Sequence, residues 1–263
     1  MISLDSKAVL VIGARGMLGS MVVETFKSQG FKVSTSTHRW PTEQFKKEIL
    51  DYPGIIINCA GTIPQQQKRD YSINFDLPFW LASKNKKFIQ PCTDCVYDGK
   101  IKAGLFYDKK DPPNATDNYG YSKRKFAEQI YNLEGDFKVI RTSIIGFDYN
   151  HLSLLSWFLE YSKTHHSCDG YLNHYWNGIT TLEWSKIAIY LIKRWNDVDK
   201  LIVVGTAPIS KCQLLENIAH VFEIKTTIKK ITHPTTKNKC LKTDIICSSL
   251  INQLKELKKC REN

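Results

Sequence analysis

Hydrophobic positions in this chain alternate between two spacings. Lys7 to Ile12 is a short apolar run of the kind that forms a strand buried on both faces. It runs into Gly13-Ala14-Arg15-Gly16-Met17-Leu18-Gly19 and then an amphipathic helix reaching about Gln29, which Gly30 stops. A second strand is predicted at Phe31–Val33, a helix over 42–50 and a third strand over 54–57. A long helix follows over 66–84, then a strand at Phe88–Pro91 and a polar loop over 108–118. The apolar set Phe126, Ala127, Ile130, Tyr131 and Leu133 predicts another helix, and Phe137–Ile140 another strand. Strands alternating with helices mean an α/β fold, a doubly wound parallel sheet of the Rossmann type.

After Gly146 the pattern loosens. Residues 153–161 read as a short aromatic helix and 165–176 as polar and irregular. Helices over Leu182–Trp195 and Lys211–Phe222 flank a strand at Leu201–Val204, and a last helix ends the chain after a Thr/Lys/Asn-rich stretch. The expectation is a dinucleotide-binding domain over 1–145. Residues 146–263 then form mainly a smaller C-terminal substrate-binding lobe, with 177–205 returning to the sheet.

The chain has 263 residues, 42% of them hydrophobic, enough for a large core plus a lobe. No apolar run approaches bilayer length, and Met1 to Lys7 lacks the basic start of a leader. A soluble, cytoplasmic protein is expected, with no membrane partner. The eight cysteines show no framework spacing, so reduced thiols are the default. Cys92 and Cys95 are formally CxxC, but there is no second pair for zinc, and they follow a strand rather than open a helix. No metal site is expected. The net charge of +11 is spread from Lys7 to Lys259, which argues for a lysine-rich surface and against nucleic-acid binding. A positive field also attracts a diphosphate.

Candidate chemistry sits at the strand ends. Gly13 permits a tight turn, Gly16 lets backbone N–H groups approach a pyrophosphate, and Gly19 lets the helix lie close to the sheet. The second strand ends Ser34-Thr35-Ser36-Thr37-His38-Arg39 with no carboxylate for a ribose 2′-hydroxyl. Arg15 and Arg39 suit a 2′-phosphate instead, so NADP(H) is expected. Small residues follow the third strand (Asn58-Cys59-Ala60-Gly61), and Cys92 to Gly99 follow the fourth, where open α/β sheets place ligands. In Asn118-Tyr119-Gly120-Tyr121-Ser122-Lys123, Tyr119 and Lys123 share a helix face. An ammonium beside a phenol is expected to lower its pKa and make it a usable proton donor. Tyr121 with Lys125 repeats the spacing as a decoy.

In this order, these motifs resemble the extended short-chain dehydrogenase/reductase superfamily, and within it the dTDP-4-dehydrorhamnose reductase-like nucleotide-sugar reductases. The resemblance covers nearly the whole chain. It includes Asn74, Arg141-Thr-Ser-Ile-Ile-Gly146, the 153–158 stretch and Trp176-Asn-Gly-Ile-Thr-Thr-Leu182. It implies Thr93, Tyr119 and Lys123 as catalytic residues. Gly13, Arg15, Gly16, Met17, Leu18, Arg39, Cys59, Ala60, Gly61, Asn74, Tyr119 and Lys123 are implied at the cofactor. Thr93, Asp94, Arg141, Trp157, Trp176, Asn177 and Lys239 are implied at a nucleotide-sugar substrate. Cys92 departs from the family, where Ser is common before this Thr. Cys95, two residues after Thr93, resembles the cysteine of bifunctional epimerase/reductases of the GDP-fucose synthase type. Lys163, His165 or His166 would then be its basic partner. The implied activity is reduction of the C4 ketone of an NDP-4-keto-6-deoxyhexose, with or without C3/C5 epimerisation. The alternative is a non-catalytic dinucleotide-binding regulatory subunit. Oligomeric state is left open, a homodimer being one form.

Overall fold

The computed structural model describes residues 7–67 and 69–262. The stretch read for a leader lies outside the described residues up to Ser6, as does Lys68 of the expected long helix. In chain order the first elements are β1 Ala8–Ile12, α1 Met17–Ser28, β2 Lys32–Thr35, α2 Glu43–Asp51, β3 Ile55–Asn58 and α3 Ile73–Ser83. Then come β4 Phe88–Cys92, a 3-10 turn Asp94–Val96, α4 Asn118–Ala127, β5 Phe137–Arg141, β6 Ile144–Ile145 and α5 Leu154–Tyr161. The remainder is β7 Ser167–Tyr171, β8 His174–Trp176, β9 Ile179–Thr180, α6 Thr181–Lys193, β10 Leu201–Gly205, β11 Ile209–Ser210 and α7 Lys211–Val221. The chain then forms β12 Thr227–Ile231, β13 Lys237–Asn238, β14 Ile245–Ile246 and α8 Leu250–Glu262.

Seven strands form one parallel sheet in the order β14-β10-β5-β4-β3-β1-β2. The strand period of two divides the sheet between its faces. Leu10 and Ile12 pack with Phe45, Leu77, Leu81 and Phe126 of α2, α3 and α4. Val9 and Val11 pack with Val22 and Phe26 of α1 and Trp184 and Leu191 of α6. A third cluster, from α5, α7 and α8, is the core of the lobe. β10 and β14 carry the chain back into the sheet.

Two expectations need correction. The long helix over 66–84 starts only at Ile73, because residues 64–70 offer no apolar face to bury and Asp70 turns back to accept from the Ser72 amide at 2.9 Å. The irregular stretch 165–176 contains β7 and β8. β7 pairs with β12, and β8 with β11 and β13, all far downstream, so no local period announces them.

The lobe is fastened beside the end of β4. The Asn238 amide donates to Gly99 O at 2.8 Å, and its side chain donates to Lys102 O and Leu105 O at 2.8 and 2.9 Å. Asn177, just past β8, donates to Leu241 O at 2.8 Å and accepts from Leu241 N at 3.0 Å. Its side chain thus satisfies both backbone groups of buried Leu241, past the end of β13. Asn177→Leu keeps the volume and orphans those groups, at a cost of about 1–3 kcal/mol. At about 2–4 °C per kcal/mol for a chain of this size, thermal denaturation should show a Tm lower by several degrees.

Candidate active site

The site forms where α4 meets the turn at the carboxyl end of β4. A Cβ on Gly120 would lie 2.5 Å from Cys95 O and 2.6 Å from Ala115 Cβ, so only glycine lets the helix come this close. Asp117 caps α4 by accepting from Gly120 N at 2.9 Å. Thr93 caps the 3-10 turn: its Oγ1 accepts from Cys95 N and donates to Asp94 Oδ1, both at 3.0 Å. The Tyr119 phenol reaches the same Thr93 hydroxyl. Lys123, one turn on, lies beside Gly61, whose added Cβ would be 3.3 Å from its Nζ. Thr93 from the turn after β4 and Tyr119 and Lys123 from α4 therefore converge. The decoy does not join them, because Tyr121 is 49% exposed and Lys125 covers its ring and that of Phe75.

The electrostatics differ from the expectation. Burial pushes the Tyr119 phenol well above its ordinary value, with the Cys95 thiol and the Asp94 carboxylate adding to the rise. The Thr93 hydrogen bond opposes it only in part. Lys123 does not lower the phenol, since its ammonium is turned toward the loop after β3. Burial instead brings the lysine down to about 8. The phenol is thus a firmly protonated group beside a cation that is easily neutralised.

A second wall faces this pair. A Cβ on Gly13 would lie 2.8 Å from Ala60 N, and one on Gly19 2.2 Å from Gly13 O, so turn, helix and β3 loop fit only as glycines. Gly16 caps α1 with no side-chain bond, leaving the helix amino terminus open to an anion. Arg15 and Arg39 are both exposed at the strand ends, and Met17 is half-buried. The Leu18 side chain is buried in the core, so only its backbone can face a ligand. Cys59 lies in the β3 loop, its thiol raised by burial. Asn74 is corrected to a positioning residue. It is buried, bonded to both the N–H and the C=O of Thr62, and donates to Ser122 Oγ at 2.9 Å. Glu48 of α2, unforeseen, reaches the end of β2, where Ser36 Oγ and Thr37 N occupy its oxygens.

Several substrate residues are also corrected. Arg141 is 2% exposed and donates to the Tyr97 hydroxyl at 2.8 Å, so it braces β5 against the turn and cannot reach a diphosphate. Asn177 spends its side chain on Leu241. Trp176 is buried in the lobe core with no face open to a base. Trp157 lies exposed along α5 on Tyr161. Asp94 is buried and acts through Thr93. Lys163 is exposed and ion-paired to Glu160 at 2.5 Å, and His165 stacks on Tyr161 at the surface, so neither joins Cys95. Lys239 does remain near the turn, its chain against Gly99.

Lys211 was not foreseen. It opens α7, stands 5.2 Å over the Trp176 ring, and feels Asp94, Cys95, Cys240 and Lys239. Burial lowers its pKa. The available signal was a lysine placed directly after a Ser cap, where the helix dipole disfavours a cation.

Lys123, lowered to about 8, is charged below that pH and neutral above it, whereas surface lysines lose their charge near 10.5. Pulse acylation with an amine-selective reagent, read by peptide mass spectrometry, should modify Lys123 half-maximally near pH 8. The surface lysine Lys47, raised by Asp51, should lag far behind.

The family model described as the RmlD substrate binding domain matches residues 7–236. The probable low-salt glycan biosynthesis reductase of Haloferax volcanii is 28% identical over 159 residues, 51% of this chain and 52% of that protein. The chain thus spans about half the length of the curated relative it matches. Among solved structures, a dTDP-4-dehydrorhamnose reductase of Clostridium acetobutylicum superposes with a TM-score of 0.80 at 19% identity, covering 97% of this chain and 100% of that one. The dTDP-4-dehydrorhamnose reductase of Bacillus anthracis, in complex with NADP, gives 0.77 at 17% identity over 96% and 98%. These likenesses show the same fold. With nearly the whole folded chain inside the family match, this protein belongs to the RmlD substrate-binding domain family.

Proposed function

We propose that the protein is an NADPH-dependent reductase acting on the C4 ketone of a nucleoside-diphosphate 4-keto-6-deoxyhexose. The observation that carries this reading is the convergence of Thr93, Tyr119 and Lys123 at the carboxyl end of the sheet, beside the glycine turn. The names of the dTDP-4-dehydrorhamnose reductases that share its fold point the same way.

The residues present fit a phosphorylated dinucleotide. The uncapped amino terminus of α1 suits its pyrophosphate, and Arg15 and Arg39 suit a 2′-phosphate. Glu48, which accepts from Ser36 and Thr37 at the end of β2, keeps its charge and is the feature there that opposes a 2′-phosphate. When bound, the cofactor supplies hydride.

The protein's own residues handle the proton. Tyr119, kept protonated by burial, donates it to the oxygen that leaves the ketone state. Lys123, turned toward the loop after β3 and charged below about pH 8, offers N–H donors to a ribose. Thr93 sets the phenol's position; it turns its own proton from Asp94 to the substrate oxygen when one is present. Lys239 supplies a point charge for a diphosphate at the lobe edge.

Purified protein should oxidise NADPH in preference to NADH with at least one of UDP-, dTDP- and GDP-4-keto-6-deoxyglucose or -mannose. NADPH binding without turnover on any of them would favour the regulatory subunit instead. Preference for NADH would reject the roles given to Arg15 and Arg39.

A further inference from the structure

The residues just past β2 form an anion seat that the protein fills with a carboxylate of its own. Ser36 N donates to Val11 O at 3.1 Å, which pins Ser36 beside the end of β1 and so beside the glycine turn. Glu48 reaches this place from α2. Phe45 and Ile49 of the same helix are fully buried in the core, and Thr42 caps its first turn, so the helix holds Glu48 in a fixed position. Ser36 Oγ donates to Glu48 Oε2 at 2.6 Å and Thr37 N donates to Oε1 at 3.3 Å, with His38 Nδ1 3.5 Å from Oε2.

The charges of α2 set Glu48 apart. Lys46 pairs with Glu43 and Lys47 with Asp51 along the exposed face of the helix. Among the described residues, no lysine or arginine pairs with Glu48, although its side chain is 24% exposed. Its neighbours are a hydroxyl, a backbone N–H and an imidazole, groups that equally suit phosphate oxygens. Arg39 follows within three residues of Ser36, and Arg15 stands in the glycine turn.

We propose that Glu48 is the specificity-determining residue for the cofactor: its carboxylate occupies the seat of a 2′-phosphate, yields it to NADPH, and stays to accept from the 2′-hydroxyl of NADH. This rests on the NADPH-dependent reading above. A phosphorylated cofactor must displace a like charge from Ser36 and Thr37, after which these donors and the two arginines are free for the phosphate. An unphosphorylated one meets a carboxylate already in place, supplied by α2 where β2 ends without an acid. Glu48 therefore works against NADPH and for NADH. Arg15 and Arg39 set the preference for NADPH, and Glu48 limits its size.

Equilibrium binding without any sugar substrate tests this, read from dihydronicotinamide fluorescence for NADPH and NADH and by displacement for 2′,5′-ADP. Glu48→Gln keeps the shape and an acceptor for Ser36 but removes the charge. It should bind NADPH and 2′,5′-ADP about tenfold more tightly, because one like charge has left the seat. It should bind NADH about tenfold more weakly, through loss of a charge-assisted hydrogen bond. Ser36→Ala should weaken NADPH and 2′,5′-ADP together, since the phosphate loses a donor. Both variants should keep a Tm near that of the wild type. NADPH bound no more tightly by Glu48→Gln than by the wild type would overturn the proposal. So would equal weakening of both cofactors with a lowered Tm, the mark of a mere brace between β2 and α2. The predicted binding shifts without turnover of any ketosugar would leave Glu48 in this role and strike the reductase reading. A wild type that binds neither cofactor would overturn both.

Discussion

The contact on which the site depends is the close approach of α4 to the 3-10 turn after β4. Gly120 permits it, since any Cβ there would collide with Cys95 O. That contact brings the Tyr119 phenol to Thr93 with both residues half-buried, and withdrawal of the phenol from water keeps it protonated. Packing and proton chemistry are thus one constraint. A looser helix would separate the two hydroxyls and also let water lower the phenol's pKa.

The surrounding polar residues serve this contact rather than the ligand. Asn74 ties α4 to the loop after β3 through Ser122 and Thr62. Arg141 props the turn from beneath through Tyr97. Asn177 and Asn238 fasten the lobe beside it. Asn74, Asn177 and Asn238 are buried polar side chains with satisfied partners, which specifies one arrangement of the elements around them.

Local signals made the glycine turn and the placing of Tyr119 and Lys123 on one helix legible from sequence. A glycine-rich turn between strand and helix and a tyrosine four residues before a lysine are short-range patterns, and the parallel sheet followed from alternating periods. What was not legible depends on distant partners. β7 and β8 lack a period of their own because their neighbours come from 209–238. Arg141, Asn74, Asn177 and Trp176 looked like ligand residues by position, yet burial and long-range hydrogen bonds claim them for structure. Lys211 escaped notice for the converse reason: ninety-two positions separate it from Tyr119, and only the pairing of β11 with β8 closes the gap.

The central claim is that the Tyr119 phenol is the proton donor of a site assembled by this packing. Single-turnover reduction of a 4-keto-6-deoxy nucleotide sugar by Tyr119→Phe, with NADPH affinity measured on the same sample, tests it most directly. The account predicts unchanged cofactor binding and a rate lower by about 10²–10⁴-fold, the usual worth of a positioned proton donor. Reduction at the parent rate by the phenylalanine variant would contradict it.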